Sequence, residues 1–375
     1  MNVRVAVNGY GTIGMRVADA IVRQPDLELA GVAKTKPSFE ARRAIEKGHR
    51  LFVAGGGDLA QFRAAGIAVQ GTLDQLLREV DVVVDATPES VGRANRPIYE
   101  AAGVRAIFQG GEKADVADGS FNAQGNYAAA RGKRTLRVVS CNTTGIARAV
   151  SVLGPRWGVE HWEATLVRRA ADPGEARKGP VNGILPTLQL PSHHGPDVRT
   201  IFPELSISTI ALVVPTTLMH LHVNHVRLRR APRGPTEVLD AFRSAPRFRV
   251  FAPWEGADGT PQVMEFARDR GLGTGDMMEN VLWEAGLQVE DREIRFFQAI
   301  HQESIVVPEC IDAIRALAIP SVDGPSSIAM TDEALGLSRT AAPAPPGAVL
   351  AAERVLPRKA VAPRAVRGRH DDRSP

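Results

Sequence analysis

The chain has 375 residues, of which 44% are hydrophobic, with nine histidines and only two cysteines. That length carries two domains with cores of their own, no apolar run approaches a membrane span, and two cysteines exclude a disulfide framework. The formal net charge of +4 is that of residues 341–375 alone, where seven basic residues face three acidic ones, so the body is neutral and the Pro- and Ala-rich tail reads as a disordered, solubilising extension.

Val3 to Val7 alternates as a strand, Gly9-Tyr10-Gly11-Thr12-Ile13-Gly14 follows, and Val17, Ala20 and Ile21 then keep a helical period. Strand, glycine-rich turn and helix in this order read as a dinucleotide site, with Gly9, Gly11 and Gly14 letting a pyrophosphate approach the helix N-terminus. Met1-Asn2-Val3-Arg4 leads straight into that strand rather than into a signal peptide, so a soluble, cytoplasmic protein is expected. The second strand, Leu27 to Ala33, ends in Lys34-Thr35-Lys36, where an NAD-selective site places an acid against the ribose 2′-hydroxyl. With Lys34 and Thr35 there and no acid, NADP is expected to be preferred over NAD. Two further strands, Val80 to Ala86 and Val104 to Gln109, end at Thr87-Pro88 and Gly110-Gly111, which makes these four residues candidate cofactor contacts.

Residues 137–140 form another strand edge, which delivers Ser140-Cys141-Asn142-Thr143-Thr144 to the same rim. An amphipathic segment starts at Gly145, so Cys141 is predicted at a helix N-terminus, where unpaired amides and the dipole favour thiolate, the form that attacks a carbonyl carbon. Cys310 opens the apolar-periodic run Ile311, Ile314, Leu317 and is explained by packing or a helix start.

From about 155 to 300 the pattern changes to long alternating stretches, Ala164 to Arg168, Ile207 to Val214, Leu218 to Leu228 and Ile294 to Ile300, which predict a mostly antiparallel sheet. His220, His222 and Asn224 share one face of the third stretch, so either histidine is a candidate base. His193-His194, in a rigid polar loop, suits phosphate recognition by imidazolium and backbone amides. No metal is expected, because the histidines lack partner cysteines or metal-ligand spacing. Val306 to Ile319 reads as a helix that returns to the first domain. The fold class is therefore α/β, a Rossmann-type doubly wound parallel sheet plus an α+β catalytic domain with a mostly antiparallel sheet. The expected divisions are 1–140, 141–302, a returning helix over 303–340, and the tail 341–375.

Together AVNGYGTIGMRVADA at 6–20, AKTKP at 33–37, SCNTTG at 140–145, RRAADP at 168–173, LPSHHGPDV at 190–198, PTTLMHLH at 215–222 and IHQESIVVPE at 300–309 resemble the archaeal-type (type II) glyceraldehyde-3-phosphate dehydrogenase family over about residues 1–340. The resemblance departs at Cys310, where Asn is expected, and in the tail. It implies reversible, phosphorylating oxidation of glyceraldehyde 3-phosphate with inorganic phosphate and NAD(P), in glycolysis or gluconeogenesis, by a cytoplasmic homotetramer with no membrane or nucleic-acid partner. It further implies that Thr12, Ile13, Gly111, Arg169 and Gln302 contact the nicotinamide cofactor, that Lys34 and Thr35 meet a 2′-phosphate, and that Ser140, Asn142, His193 and His194 bind the triose phosphate. Cys141 is then the nucleophile and His220 the base, with His222 in reserve. Aspartate-semialdehyde dehydrogenase and N-acetylglutamyl-phosphate reductase combine the same domain and thiol with carboxylate substrates; from another class, a catalytically silent nucleotide-binding scaffold is the alternative.

Overall fold

β1 (Val3–Asn8) is a run of Val and Ala that is fully buried from Val5 on, and it stands between two parallel neighbours, β2 (Leu27–Lys34) and β5 (Val82–Asp85). Outward from β2 come β3 (Leu51–Val53) and β4 (Gly71–Thr72). Outward from β5 come β6 (Arg105–Phe108), β8 (Thr135–Val138) and β7 (Ser120–Phe121), closing an eight-stranded sheet. Every pairing in it is parallel. The chain leaves β1 in one direction and β5 in the other, so a crevice opens outside their carboxyl ends, where Asn8 lies beside Asp85. This is the expected doubly wound sheet. The computed structural model describes residues 2–109, 111–170, 182–270 and 275–337; Gly110, residues 171–173 of the RRAADP motif and the 341–375 tail lie outside them.

The turn after β1 needs its glycines. A Cβ on Gly14 would stand 2.0 Å from the Gly9 carbonyl oxygen, and Gly9 itself has φ of +95° against the Ala86-Thr87 backbone. The helix Thr12–Val22 thus begins directly on the turn.

The second sheet has seven strands in the order β10 (Leu185–Pro186), β11 (Ile207–Val214), β9 (Val159–Arg169), β12 (His220–Leu228), β15 (Glu293–Ile300), β14 (Asn280–Glu290) and β13 (Phe248–Phe251). Four pairings are antiparallel, while β9 with β11 and β13 with β14 are parallel. The sheet is mostly antiparallel, as the alternation predicts. Its covered face packs Trp162, Leu166, Val226 and Phe296 against Ile146, Val150 and Leu153 of the helix Cys141–Trp157.

The chain then returns as two helices, Val307–Ala318 and Gly324–Leu335, where one was expected. Ile311, Ile314 and Leu317 join the core of the first sheet with Val5, Val7 and Ile21. Cys310 is buried there, takes a hydrogen bond from Gln109 at 2.7 Å, and has its thiol pushed up by burial, consistent with packing. Buried charges tie these helices to the one that carries Cys141. Arg148 donates to Glu309 at 2.8 and 3.0 Å, and Arg247 reaches Glu309, Asp312 and Asp332 at 3.2, 2.6 and 2.7 Å. Removing one partner would strand a buried charge, a loss of about 3–5 kcal/mol. No helix among the described residues is long and apolar enough to cross a membrane.

Candidate active site

Ser140 caps the helix Cys141–Trp157: its Oγ accepts from the Thr143 amide at 3.3 Å and lies 2.9 Å from the Thr143 hydroxyl. Thr143 in turn donates to Asp197 at 2.6 Å, which Arg137 also holds at 2.7 Å. Cys141 is the first helical residue, as expected. The expected lowering of its thiol pKa is not found. The amides of Cys141 and Asn142 and the charges of Arg168 and Arg169 do favour thiolate, but loss of water around the sulfur outweighs them and pushes the thiol up. Ser140, expected to bind substrate, has its hydroxyl committed to the cap.

Beneath the thiol runs a closed series of buried hydrogen bonds. Gln298 stands directly opposite His222 in the β12–β15 register and donates to its Nδ1 at 3.0 Å. The Gln298 amide is oriented by Asn280, which donates to its Oε1 at 3.3 Å. His222 must then carry its proton on Nε2, which donates to Asn142 Oδ1 at 2.9 Å. Asn142 Nδ2 faces His194 Nε2 at 3.4 Å, so His194 donates through Nδ1 to Ser192 Oγ at 3.1 Å, and Ser192 passes the series to Thr209 at 2.8 Å. Thr209 ends it on the Ser192 carbonyl at 3.0 Å. Burial pushes His222 down to about 3 and, with the neighbouring positive groups, His194 down to about 2, so both rings are neutral.

This arrangement bears on three of the expected site residues. His222 has no nitrogen left to act as a base. His194 is neutral rather than the imidazolium expected, and both its nitrogens have protein partners. Asn142, expected to bind substrate, meets His222 and His194 with the two ends of its amide. His193 is exposed and stacks on His194 with ring centroids 4.0 Å apart; burial and the Arg168 charge push it down.

His220 differs from His222 although it shares the strand face. Its Nδ1 accepts the Arg169 amide at 3.0 Å, so the neutral ring carries its proton on Nε2, which has no partner among the described residues. The expected base therefore meets the cleft as a donor, and could accept a proton at Nε2 only if the Arg169 amide released Nδ1. Burial holds the ring neutral, far below the usual histidine range. No hydrogen bond links His220 to the Cys141 sulfur among the described residues, though the charges of Arg168 and Arg169 act on both.

Arg168, which the RRAADP motif puts with Arg169 in a cleft role, bears on most of these groups. Its charge bears on Cys141, His193, His194 and His220, and its Nε is buried without a partner. The paired arginines at the end of β9 were the available signal. Gln302 follows β15 onto this rim; its Nε2 reaches Glu303 at 3.4 Å while its Oε1 is buried and unpartnered.

The crevice of the first sheet fits a dinucleotide. The helix Thr12–Val22 starts at Gly11 with no side-chain cap and no acid in its first turn, leaving its amides, those of Thr12 and Ile13 among them, available to an anion. The side chain of Ile13 packs against the core. Gly11 and Gly111 have open space where a Cβ would stand, and Pro88 is exposed. Thr87 is nearly buried and bonds through its amide to Asp85 at 3.0 Å, its hydroxyl also turned to that carboxylate. Asp85, hidden in sequence within a Val-rich strand, also receives Tyr99 at 2.5 Å and Asn95 at 2.8 Å and so organises the rim. Lys34 donates to the Tyr10 carbonyl at 3.1 Å and lies 3.3 Å from Glu40, while Thr35 is exposed. The expectation that no acid stands beside Lys34 is thereby corrected, because Glu40 reaches it from the next helix.

Residues 140–280 match the family model of the glyceraldehyde 3-phosphate dehydrogenase C-terminal domain, and residues 3–110 match that of the dihydrodipicolinate reductase N-terminus. Proteins named glyceraldehyde-3-phosphate dehydrogenase are similar over most of the chain. That of Halobacterium salinarum is 50% identical over 89% of this chain and 100% of its own. Those of Methanosarcina mazei and Pyrococcus abyssi are 48% identical, over 89% and 90% of this chain and 99% of theirs. Among solved structures, aspartate semialdehyde dehydrogenase II from Vibrio cholerae has the same fold, with a TM-score of 0.60 at 14% identity over 84% of this chain and 97% of its own.

Proposed function

Because the chain belongs to the glyceraldehyde-3-phosphate dehydrogenase family, we propose that it oxidises D-glyceraldehyde 3-phosphate with inorganic phosphate and NAD(P) to 1,3-bisphosphoglycerate, reversibly. The observation that carries this reading is a thiol at a helix start whose rim also holds an unpaired His220 Nε2–H and the unpaired Arg168 Nε.

The Cys141 thiol gives up its proton to solvent, the charges of Arg168 and Arg169 favouring the thiolate, and the thiolate then adds to the aldehyde carbon, forming the C–S bond as the carbonyl electron pair moves to oxygen. The His220 N–H receives the developing alkoxide, and the cost of that hydrogen bond is already met by the Arg169 amide that fixes the ring. The Gly9–Gly14 turn, Gly111, Arg169 and Gln302 would hold NAD(P), which would supply the acceptor for the hydride whose loss leaves a thioester on Cys141. A phosphate oxygen then adds to the thioester carbon, and the collapse of that adduct expels the Cys141 thiolate and yields the acyl phosphate. Arg168 and His193 are the groups we assign to the substrate phosphates. Residues 1–140 form the nucleotide domain in this reading and 141–302 the catalytic one, with 303–337 returning to the first.

The exposed face of the second sheet carries Ile210, Val223 and Phe297, each more than two-fifths exposed, which supports burial between subunits of a homotetramer. A reactive thiol suits the reducing cytoplasm. The test is initial-rate kinetics with glyceraldehyde 3-phosphate and phosphate, with each coenzyme in turn and with aspartate semialdehyde as the rival substrate. Phosphate-dependent reduction of coenzyme with the triose is expected; a higher kcat/KM for the carboxylate-bearing aldehyde would overturn the reading. Light scattering of the same protein and of Phe297→Asp tests the assembly.

A further inference from the structure

The geometry points to Glu40 as the residue that sets the balance between NAD and NADP, by competing for Lys34 with a 2′-phosphate and by offering a carboxylate to a free 2′-hydroxyl. This deepens the reading above and rests on it for the coenzyme's place at the end of β2.

Lys34 is not a loose surface lysine. Its side chain is 18% exposed, and its ammonium is moored between the Tyr10 carbonyl, inside the glycine-rich turn, and the Glu40 carboxylate. Glu40 is itself held. It lies in the first turn of the helix Phe39–Glu46, where the dipole favours an anion, and the Ser38 hydroxyl donates to the same oxygen that faces Lys34. The carboxyl stays below the usual glutamate range through the Ser38 hydroxyl, a backbone amide and Lys34, against the burial that opposes them. It is a full charge at neutral pH.

A coenzyme lying along the turn brings its adenine ribose to the carboxyl end of the second strand. A 2′-phosphate arriving there finds the lysine it needs already neutralised, and a second anion beside it. It gains Lys34 and the exposed hydroxyl of Thr35 only by displacing Glu40 or tolerating the repulsion. A 2′-hydroxyl has the opposite experience, since it donates to the carboxylate and leaves the Lys34–Glu40 pair intact. The acid that a dinucleotide site uses for NAD is therefore present, delivered six positions after Lys34 from a helix rather than from the strand end, and the lysine that serves NADP is its ion-pair partner. One site can hold either coenzyme, and the ratio depends on a single carboxylate.

The probes are NAD and NADP themselves, titrated into wild type and Glu40→Gln, with binding followed by protein fluorescence and by calorimetry, independent of turnover. Gln keeps the size and the Ser38 contact but loses the charge. We expect NADP to bind about tenfold more tightly and NAD several-fold more weakly, the size of one charge-assisted hydrogen bond gained or lost. Lys34→Met gives the converse reading should Glu40→Gln be poorly folded: the unopposed carboxylate should weaken NADP by more than about tenfold and leave NAD within about twofold. An unchanged ratio of dissociation constants in Glu40→Gln, or equal weakening of both coenzymes in Lys34→Met, overturns the inference while leaving the coenzyme site itself standing. Failure of wild type to bind either coenzyme overturns the inference together with the reading beneath it.

Discussion

On the floor of the cleft Gln298, His222, Asn142, His194 and Ser192 satisfy one another in a closed series, whereas at its mouth His220 Nε2, Arg168 Nε and Gln302 Oε1 lack hydrogen-bond partners among the described residues. Histidine and glutamine occur in both. Two histidines on one strand face differ because Gln298 faces one and the Arg169 amide faces the other, and this leaves only the His220 ring with a nitrogen that has no protein partner among the described residues. A buried unpaired polar group costs on the order of 1–3 kcal/mol, so such groups persist where a ligand offsets them. The paired ones position.

The largest effect tests the mouth at its centre. Cys141→Ser should lower turnover by more than about a thousandfold, roughly 4 kcal/mol of barrier, while coenzyme binding is retained, because the hydroxyl does not form the covalent adduct. A variant retaining a tenth of the activity would remove the nucleophile from the account. Next comes His220. Replacing it with Ala should cost about 10²- to 10⁴-fold, and Gln, which can present an N–H near the position of Nε2, should recover at least about tenfold of that loss. If Gln is no better than Ala, the ring acts as a base and the tautomer set by the Arg169 amide does not persist in the reacting complex.

The floor should answer differently. His222→Leu leaves Asn142 Oδ1 and the Gln298 N–H without partners, each worth about 1–3 kcal/mol, so the thermal midpoint should fall by several degrees with a smaller loss in kcat than at His220. Equal stability with a His220-sized loss in rate would mean that the floor takes part in the chemistry. Acid probes the same series. His194 and His222 are neutral in the fold, pushed down to about 2 and 3, whereas in the unfolded chain they protonate near pH 6.5. The unfolded state binds the extra protons, so stability is complete above about pH 6.5 and falls as pH drops from there toward 4, by up to about 1.4 kcal/mol per unit for each ring. Denaturant melts at pH 7 and 5 measure this, and His222→Leu should flatten the dependence.

Much of this was legible in the chain. The glycine turn, the limits Ile207–Val214 and the helix opening at Cys141 follow from period and capping, which are local. Residues that act at a distance were not. β14 escaped because a bulge between Leu282 and Leu287 breaks its alternation, and β3, β4, β7 and β10 are too short to show a period. Gln298 is paired with His222 only by strand register, Glu40 with Lys34 only by the fold of the second crossover, and Arg148 with Glu309 across most of the second half of the chain. The protein partners of Ser140, Asn142 and His194 were out of reach for one reason: a polar side chain at a rim reads the same in sequence whether it meets a ligand or a neighbour.

The smallest effect is expected from the tail, and it bears on whether the mouth ends where the described residues do. A chain ending at Thr340 loses six prolines, few large apolar groups and the whole net charge of +4, a composition from which little buried surface is expected. The glyceraldehyde-3-phosphate dehydrogenase of Halobacterium salinarum is matched over its whole length by 89% of this chain. Thermal midpoint, assembly and both kinetic constants should therefore match the full chain at ordinary ionic strength. The sharper measurement is KM for the triose phosphate and for phosphate at low salt, where the Debye length grows from about 10 Å to about 30 Å. A cationic segment near the cleft would draw anions in at low salt only, so a KM that rises on truncation there and not at high salt would make the tail an electrostatic extension of the mouth. A drop in midpoint or a smaller assembly would instead give it a packed place in the fold, against its composition.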